Sequence, residues 1–236
     1  MEIIKVCYSM GSLGENVGCE KAPDFLFDGG KYVKIIRSNI DETMSNIEKS
    51  EGDVFLGGDH SITYGSYKGF SKRFRNAGII IFDAHPDLEI SVGSVSHEDF
   101  LRKLIEDDVL KKGNIILVGV RKISKNEKEF MKGINLFTME QIFNNEENVC
   151  DAIMELALVF DGLYLSIDID VLDPAFAPGT AYLEPGGMST AQLFYFLNRI
   201  KNLNNLRRID LVEINPEIDV NGMTVKIGKR IIEFFM

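Results

Sequence analysis

The chain contains three histidines, and two of them stand just past apolar runs with aspartates beside them. His60 lies in Gly57-Gly58-Asp59-His60-Ser61, His85 in Asp83-Ala84-His85-Pro86-Asp87, and His97 in Ser96-His97-Glu98-Asp99. Asp83 and His85 are two residues apart at the end of a strand candidate, where period-two geometry puts both side chains on one face. Asp87 extends the row, although Pro86 has the chain already leaving the sheet. Asp168-Ile169-Asp170 repeats the spacing after a second apolar run. Two carboxylates on one face at a buried strand end repel each other and lose solvation, so a cation is expected to compensate them. His60, Asp83, His85, Asp87, Asp168 and Asp170 together exceed the four ligands of a tetrahedral zinc. They suit two harder divalent ions, with manganese preferred to zinc because oxygen donors dominate. The competing reading of each piece is structural: a hydrogen-bonded core histidine, or an acidic turn after a strand. Asp173 before Pro174 reads as such a turn residue. Asp59 either caps the next helix or braces His60.

The elements that must position these residues alternate. Strand candidates are Ile3–Tyr8, Tyr32–Ile36, Val54–Leu56, Gly78–Ala84, Asn114–Val120, Asn135–Thr138, Gly162–Asp168 and Arg208–Ile214. Several are solidly apolar, as in Ile79-Ile80-Ile81-Phe82, which marks strands covered on both faces. Between them lie helix candidates at Asp41–Ser50, Ser61–Arg75, Ser96–Lys112, Ser124–Gly133, Asn148–Phe160, Ser189–Asn202 and Gly222–Met236. Ser124 with Glu127, and Ser189 with Gln192, have capping-box spacing. The alternation predicts a three-layer α/β/α fold with a mostly parallel sheet of about eight strands, in one domain over residues 1–236. Ligands of such sheets gather at the carboxyl ends of strands, where the motifs fall.

A net charge of −10 disfavours nucleic acid and anionic membrane as partners and is compatible with a cationic small molecule. Three scattered cysteines, no apolar run long enough to span a membrane and no recognisable signal segment lead us to expect a cytoplasmic protein.

The motifs, taken together, resemble those of the ureohydrolases: arginase, agmatinase and formimidoylglutamase. The sequence reads GGDHS at 57–61, DAHPD at 83–87, SIDIDVLDPAFAPGT at 166–180 and Glu213-Ile214-Asn215-Pro216. The resemblance covers about residues 50–236, with four motifs in family order. It implies an arginase-like fold, two Mn(2+) ions, a homo-oligomer, and hydrolysis of a guanidino group to urea and an amine. Carried over by position, His60, Asp83, Asp87 and Asp168 match the ligands of one ion. Asp83, His85, Asp168 and Asp170 match those of the other. Glu213 matches the residue that holds the guanidinium, and His97 the one used for proton transfer. After Gly179-Thr180 the chain departs from the family, with Ala181-Tyr182-Leu183 where small residues and proline are usual.

The loop Leu88–Ser96 between Asp87 and His97 is short, carries Glu89 and has no asparagine. It looks more like agmatinase than arginase, since a carboxylate suits a second amine. Agmatine is therefore the expected substrate, with arginine or a formimino compound as the alternative. Two other classes remain in view. A dimetal phosphoesterase uses similar turns but needs further histidines. A ureohydrolase-like scaffold would bind metal or ligand without turnover.

Overall fold

The computed structural model describes residues 1–236. Eight strands form one sheet: β1 (Ile3–Val6), β2 (Lys31–Tyr32), β3 (Val54–Gly57), β4 (Ala77–Phe82), β5 (Ile115–Val120), β6 (Asn135–Thr138), β7 (Gly162–Asp168) and β8 (Leu206–Val212). Their order is β2-β1-β3-β8-β7-β4-β5-β6, and every pair is parallel. Nine α-helices accompany them: α1 (Ala22–Leu26), α2 (Ile40–Lys49), α3 (Ile62–Ser71), α4 (Phe100–Glu106), α5 (Lys125–Phe130), α6 (Met139–Asn144), α7 (Glu146–Ala157), α8 (Thr190–Ile200) and α9 (Met223–Phe235).

The apolar runs account for the layering. In β4, Ile79 and Ile81 join Phe55, Leu117 and Tyr164 in a core roofed by α2, α3 and α4. Ile80 and Phe82 point the other way, into a core with Leu56, Val118 and Phe196 under α1, α6, α7, α8 and α9. Burying each such side chain stabilises by roughly 1.5–3 kcal/mol, so a strand apolar on both faces is held between two helical layers. The expected three-layer parallel fold is present, and Ser124 and Ser189 each close a capping box.

Several boundaries differ from the sequence reading. The second strand is two residues rather than Tyr32–Ile36. The helix expected over Ser96–Lys112 spans only α4: the Asp99 carboxylate accepts from the Ser96 amide at 2.6 Å and holds residues 96–99 in a turn before it. After Glu106, Asp108 enters the left-handed region at φ 56° and ends the helix. His97 therefore precedes α4 instead of sitting in its first turn. Helices α1 and α6 have no counterpart in the sequence reading, being five and six residues long and below useful periodicity.

Candidate active site

Four adjacent strands deliver the candidate residues at their carboxyl ends. His60 follows β3, Asp83, His85 and Asp87 follow β4, Asp168 closes β7 with Asp170 in the 3-10 turn beyond, and Glu213 follows β8. Strand pleating does not aim the paired residues, because β4 ends at Phe82. A local bond does so instead. Asp83 Oδ1 accepts from the His85 amide at 2.6 Å, and Asp168 Oδ1 from the Asp170 amide at 2.8 Å. Each is an Asx-type turn, and in each the Oδ2 atom lies 3.1 Å from His60 Nδ1. Asp59 makes the same turn to the Ser61 amide at 3.0 Å and accepts from Gly11 N–H at 2.8 Å, so it caps and tethers rather than bracing the His60 ring.

All six candidate ligands come together. Asp87 Oδ2 also stands 3.1 Å from His60 Nδ1. His85 Nδ1 is 2.9 Å from Asp170 Oδ2 and 3.5 Å from Asp83 Oδ1. Two clusters result, His60–Asp83–Asp168 and Asp83–His85–Asp170, which share Asp83. Asp168 falls only in the first. Donor atoms about 2.1 Å from an octahedral ion lie ~3 Å apart, the spacing seen around His60 Nδ1. His60 Nδ1 and Asp83 Oδ2 are buried without a hydrogen-bond partner, which proteins rarely tolerate unless something else engages the lone pairs. These residues fit a pair of divalent cations, and the donors are mainly hard oxygens.

The electrostatics agree. Burial and the neighbouring Asp170 and Asp83 charges push the Asp168 carboxyl well above its usual range. Burial and Asp83 raise Asp87 to about 8. Burial opposes charge on His60, but Asp168, Asp83 and Asp87 push its imidazole pKa well up. His85, against the same burial, is pushed up to about 12 by Asp170 and Asp83. The crowded carboxylates thus favour added positive charge among them.

Behind the cage, His60 Nε2 meets Ser166 Oγ at 2.9 Å, and Ser166 donates to Asp210 Oδ1 at 2.5 Å. Asp210 Oδ2 accepts from Thr63 and Tyr164, each at 2.6 Å. The sequence reading gave Ser166 and Asp210 no role. The signal was there: Ser166 precedes Asp168 by one pleat repeat, and Asp210 is a charge inside an apolar strand.

Glu213 is held at both oxygens. Oε1 accepts from the His60 amide and Oε2 from Asn16 Nδ2, each at 2.6 Å, while Asn215 Nδ2 donates to Asn16 Oδ1 at 2.8 Å. Asn16 was not legible, since nothing near it in sequence marks it. Glu213 has φ 64° and Asp87 φ 51°, left-handed conformations that cost about 1–3 kcal/mol each and cluster at functional sites. His97 Nδ1 faces Glu213 Oε1 at 3.6 Å, and its Nε2 is buried without a partner. Burial lowers the His97 pKa, but Glu213, then Asp87 and Asp59, raise it overall to about 9.

These groups line a cavity of about 210 Å³, together with Glu89, Glu98, Lys122 and Tyr182. Lys122 is tied to Glu184 at 2.5 Å. No helix is long and apolar enough to cross a membrane.

A family model described as the arginase family matches residues 5–236. Arginase of Staphylococcus aureus (strain COL) is 35% identical over 212 residues, covering 82% of this chain and 70% of that protein. Formimidoylglutamase of Halalkalibacterium halodurans is 31% identical over 209 residues, covering 83% of this chain and 65% of that protein. Among solved structures, arginase from Bacillus subtilis superposes with a TM-score of 0.90 at 23% identity, over 99% of this chain and 97% of that one. A hypothetical agmatinase from Burkholderia thailandensis gives 0.86 at 22% identity, over 98% and 82%. The fold, the match along almost the whole sequence and the identity to the Staphylococcus protein agree: the chain belongs to the arginase family, the ureohydrolases of small guanidino compounds.

Proposed function

We propose that this protein hydrolyses the guanidino group of a small molecule with a cationic tail, agmatine in the first place, to urea and an amine, using two Mn(2+) ions. His60, Asp83, His85, Asp87, Asp168 and Asp170 would hold the ions. Bound there, two dications would lower the pKa of water and polarise the guanidino carbon's substituents. Glu213, fixed at both oxygens, keeps a free lone pair on each with which to orient the guanidinium through charge-assisted hydrogen bonds. His97 faces Glu213, whose carboxylate raises the imidazole pKa and favours its protonated form. Its unpartnered Nε2 is the edge from which that proton passes to the leaving amine.

The observation that carries the tail preference is the charge lining the cavity. Glu89 and Glu98 line the cavity without an ion-pair partner, and the lining lysine, Lys122, is committed to Glu184. An α-carboxylate entering there meets like charge, whereas a second amine is attracted. Arginine is the second reading, favoured by the 35% identity to a protein named arginase. Urea release from agmatine and arginine, and formamide release from formimidoylglutamate, with manganese added, test both. The tail reading predicts a kcat/KM for agmatine at least about tenfold above that for arginine, or ~1.4 kcal/mol of discrimination. A preference for arginine removes it, and silence on all three removes the guanidino reading.

A further inference from the structure

Tyr182 is the residue at which the chain departs from its family's usual small residues, and the structure places it over the candidate chemistry. Its ring lies 5.5 Å from that of His85, edge-on, and 5.4 Å from that of His97. Its hydroxyl is shielded from solvent and has no hydrogen-bond partner in the protein. A buried tyrosine hydroxyl ordinarily finds a partner, because leaving it unpaired costs about 1–3 kcal/mol.

The segment that presents it is fixed at both ends. Before Tyr182, the Gly179 carbonyl accepts from Asn215 N–H at 2.8 Å, and the Gly179 amide donates to Thr224 Oγ1 at 2.7 Å. After it, the Arg121 guanidinium donates to the Glu184 carbonyl at 2.7 Å and to the Asp170 carbonyl, also at 2.7 Å. Asp173 accepts from the Gly186 and Gly187 amides at 2.7 and 3.2 Å. Arg121 thus clamps the Tyr182 segment to the same turn that carries Asp168 and Asp170. The ring's position over the two histidines is set by this frame rather than by chance packing on a loose loop.

We infer that Tyr182 is a substrate-binding and specificity-determining residue: its hydroxyl accepts a hydrogen bond from a guanidinium N–H, and its ring closes the pocket against substituents on the reacting guanidine. This rests on the guanidino reading above. Every guanidinium nitrogen is a donor, and Glu213 can serve only one edge of the plane. The orphaned hydroxyl supplies an acceptor from another side. The ring over His85 and His97 leaves room for a planar, unsubstituted end and opposes an N-alkyl group.

The test uses the full-length, manganese-loaded protein and three forms: wild type, Tyr182→Phe and Tyr182→Ala. Urea release gives kcat and KM for agmatine, arginine and their N-methylguanidino analogues, and calorimetry gives direct binding of the same compounds. Tyr182→Phe should raise KM, and the dissociation constant, about tenfold with kcat within about threefold, because the bond is made equally in ground and transition states. Tyr182→Ala should shift the ratio of methylated to unmethylated kcat/KM upward by at least about tenfold, which a merely structural role would not do. Metal content and melting temperature should stay at wild-type values in Tyr182→Phe. Unchanged KM and binding in Tyr182→Phe, or loss of metal from it, would overturn the inference while leaving the guanidino reading in place. A wild type that neither binds nor hydrolyses any of these compounds would overturn both.

Discussion

Replacing Asn16 by alanine separates what the N-terminal loop contributes to the site from what it contributes to the fold. Asn16 is fully buried, and its amide is the sole side-chain donor to Glu213 Oε2. Removal strands that oxygen away from water, at a cost of about 1–3 kcal/mol. Asn215 Nδ2 keeps its bond to the Val17 carbonyl at 3.0 Å, while the Glu213 carbonyl loses the longer bond it accepts from Asn16 Nδ2 at 3.2 Å. Taking about 2 kcal/mol, and 2–4 °C per kcal/mol for a chain of this length, the melting temperature should fall by about 4–8 °C. The carboxylate also loses one of the two bonds that fix its plane, and with it part of its hold on the guanidinium. KM should rise about tenfold, or ~1.4 kcal/mol, with kcat changed less. Scanning calorimetry and urea-release kinetics on the manganese-loaded protein read the two effects separately. A variant that melts early yet keeps its KM would refute the reasoning, since Asn16 would then be packing the loop and not aiming Glu213.

Three further outcomes are expected. Ser166→Ala breaks the link from Asp210 to His60 Nε2 and should weaken manganese affinity about 10–100-fold, read by metal titration; unchanged affinity would deny the hydroxyl its orienting role. His60 and His85 have raised pKa values in the metal-free cage and hold protons at neutral pH that ligation must expel, so affinity should climb as pH rises from 6 to 8. Calorimetry in two buffers of different ionisation enthalpy would show the proton release, and its absence would contradict the ligand assignment. Gly58→Ala would place a Cβ 1.8 Å from the Tyr8 carbonyl oxygen, a clash of backbone against backbone, and should abolish soluble folded protein; a variant with wild-type melting would disprove this close approach.

Much of the molecule was legible because its signals are strong ones. Runs such as Ile79–Phe82 announce strands buried on both faces, and Ser124 and Ser189 announce helix starts through a bond between neighbours. The six candidate ligands were found by residue type and spacing, although the reason given for the spacing was wrong. Asx turns, not pleats, direct Asp83 and Asp168. What stayed hidden depends on contacts distant in sequence. Asn16 and Glu213 are 197 residues apart, and Ser166 acquires meaning only beside Asp210 on the next strand. The turn at Ser96–Asp99 was misread because a serine three residues before an aspartate also fits a helix start, and here the bond runs from the serine's amide to the carboxylate.

The place of β8 governs how this chain can be made. The last strand in sequence lies between β3 and β7, near the middle of the sheet. Until Leu206–Val212 has left the ribosome, the first three strands and the next four are separate slabs, each with a bare apolar edge open to pairing with another chain. His60 sits on one slab, and the aspartates from β4 and β7 sit on the other. The Asp83–His85–Asp170 group can form within the second slab alone, whereas His60 joins Asp83 and Asp168 only after β8 has bridged the two.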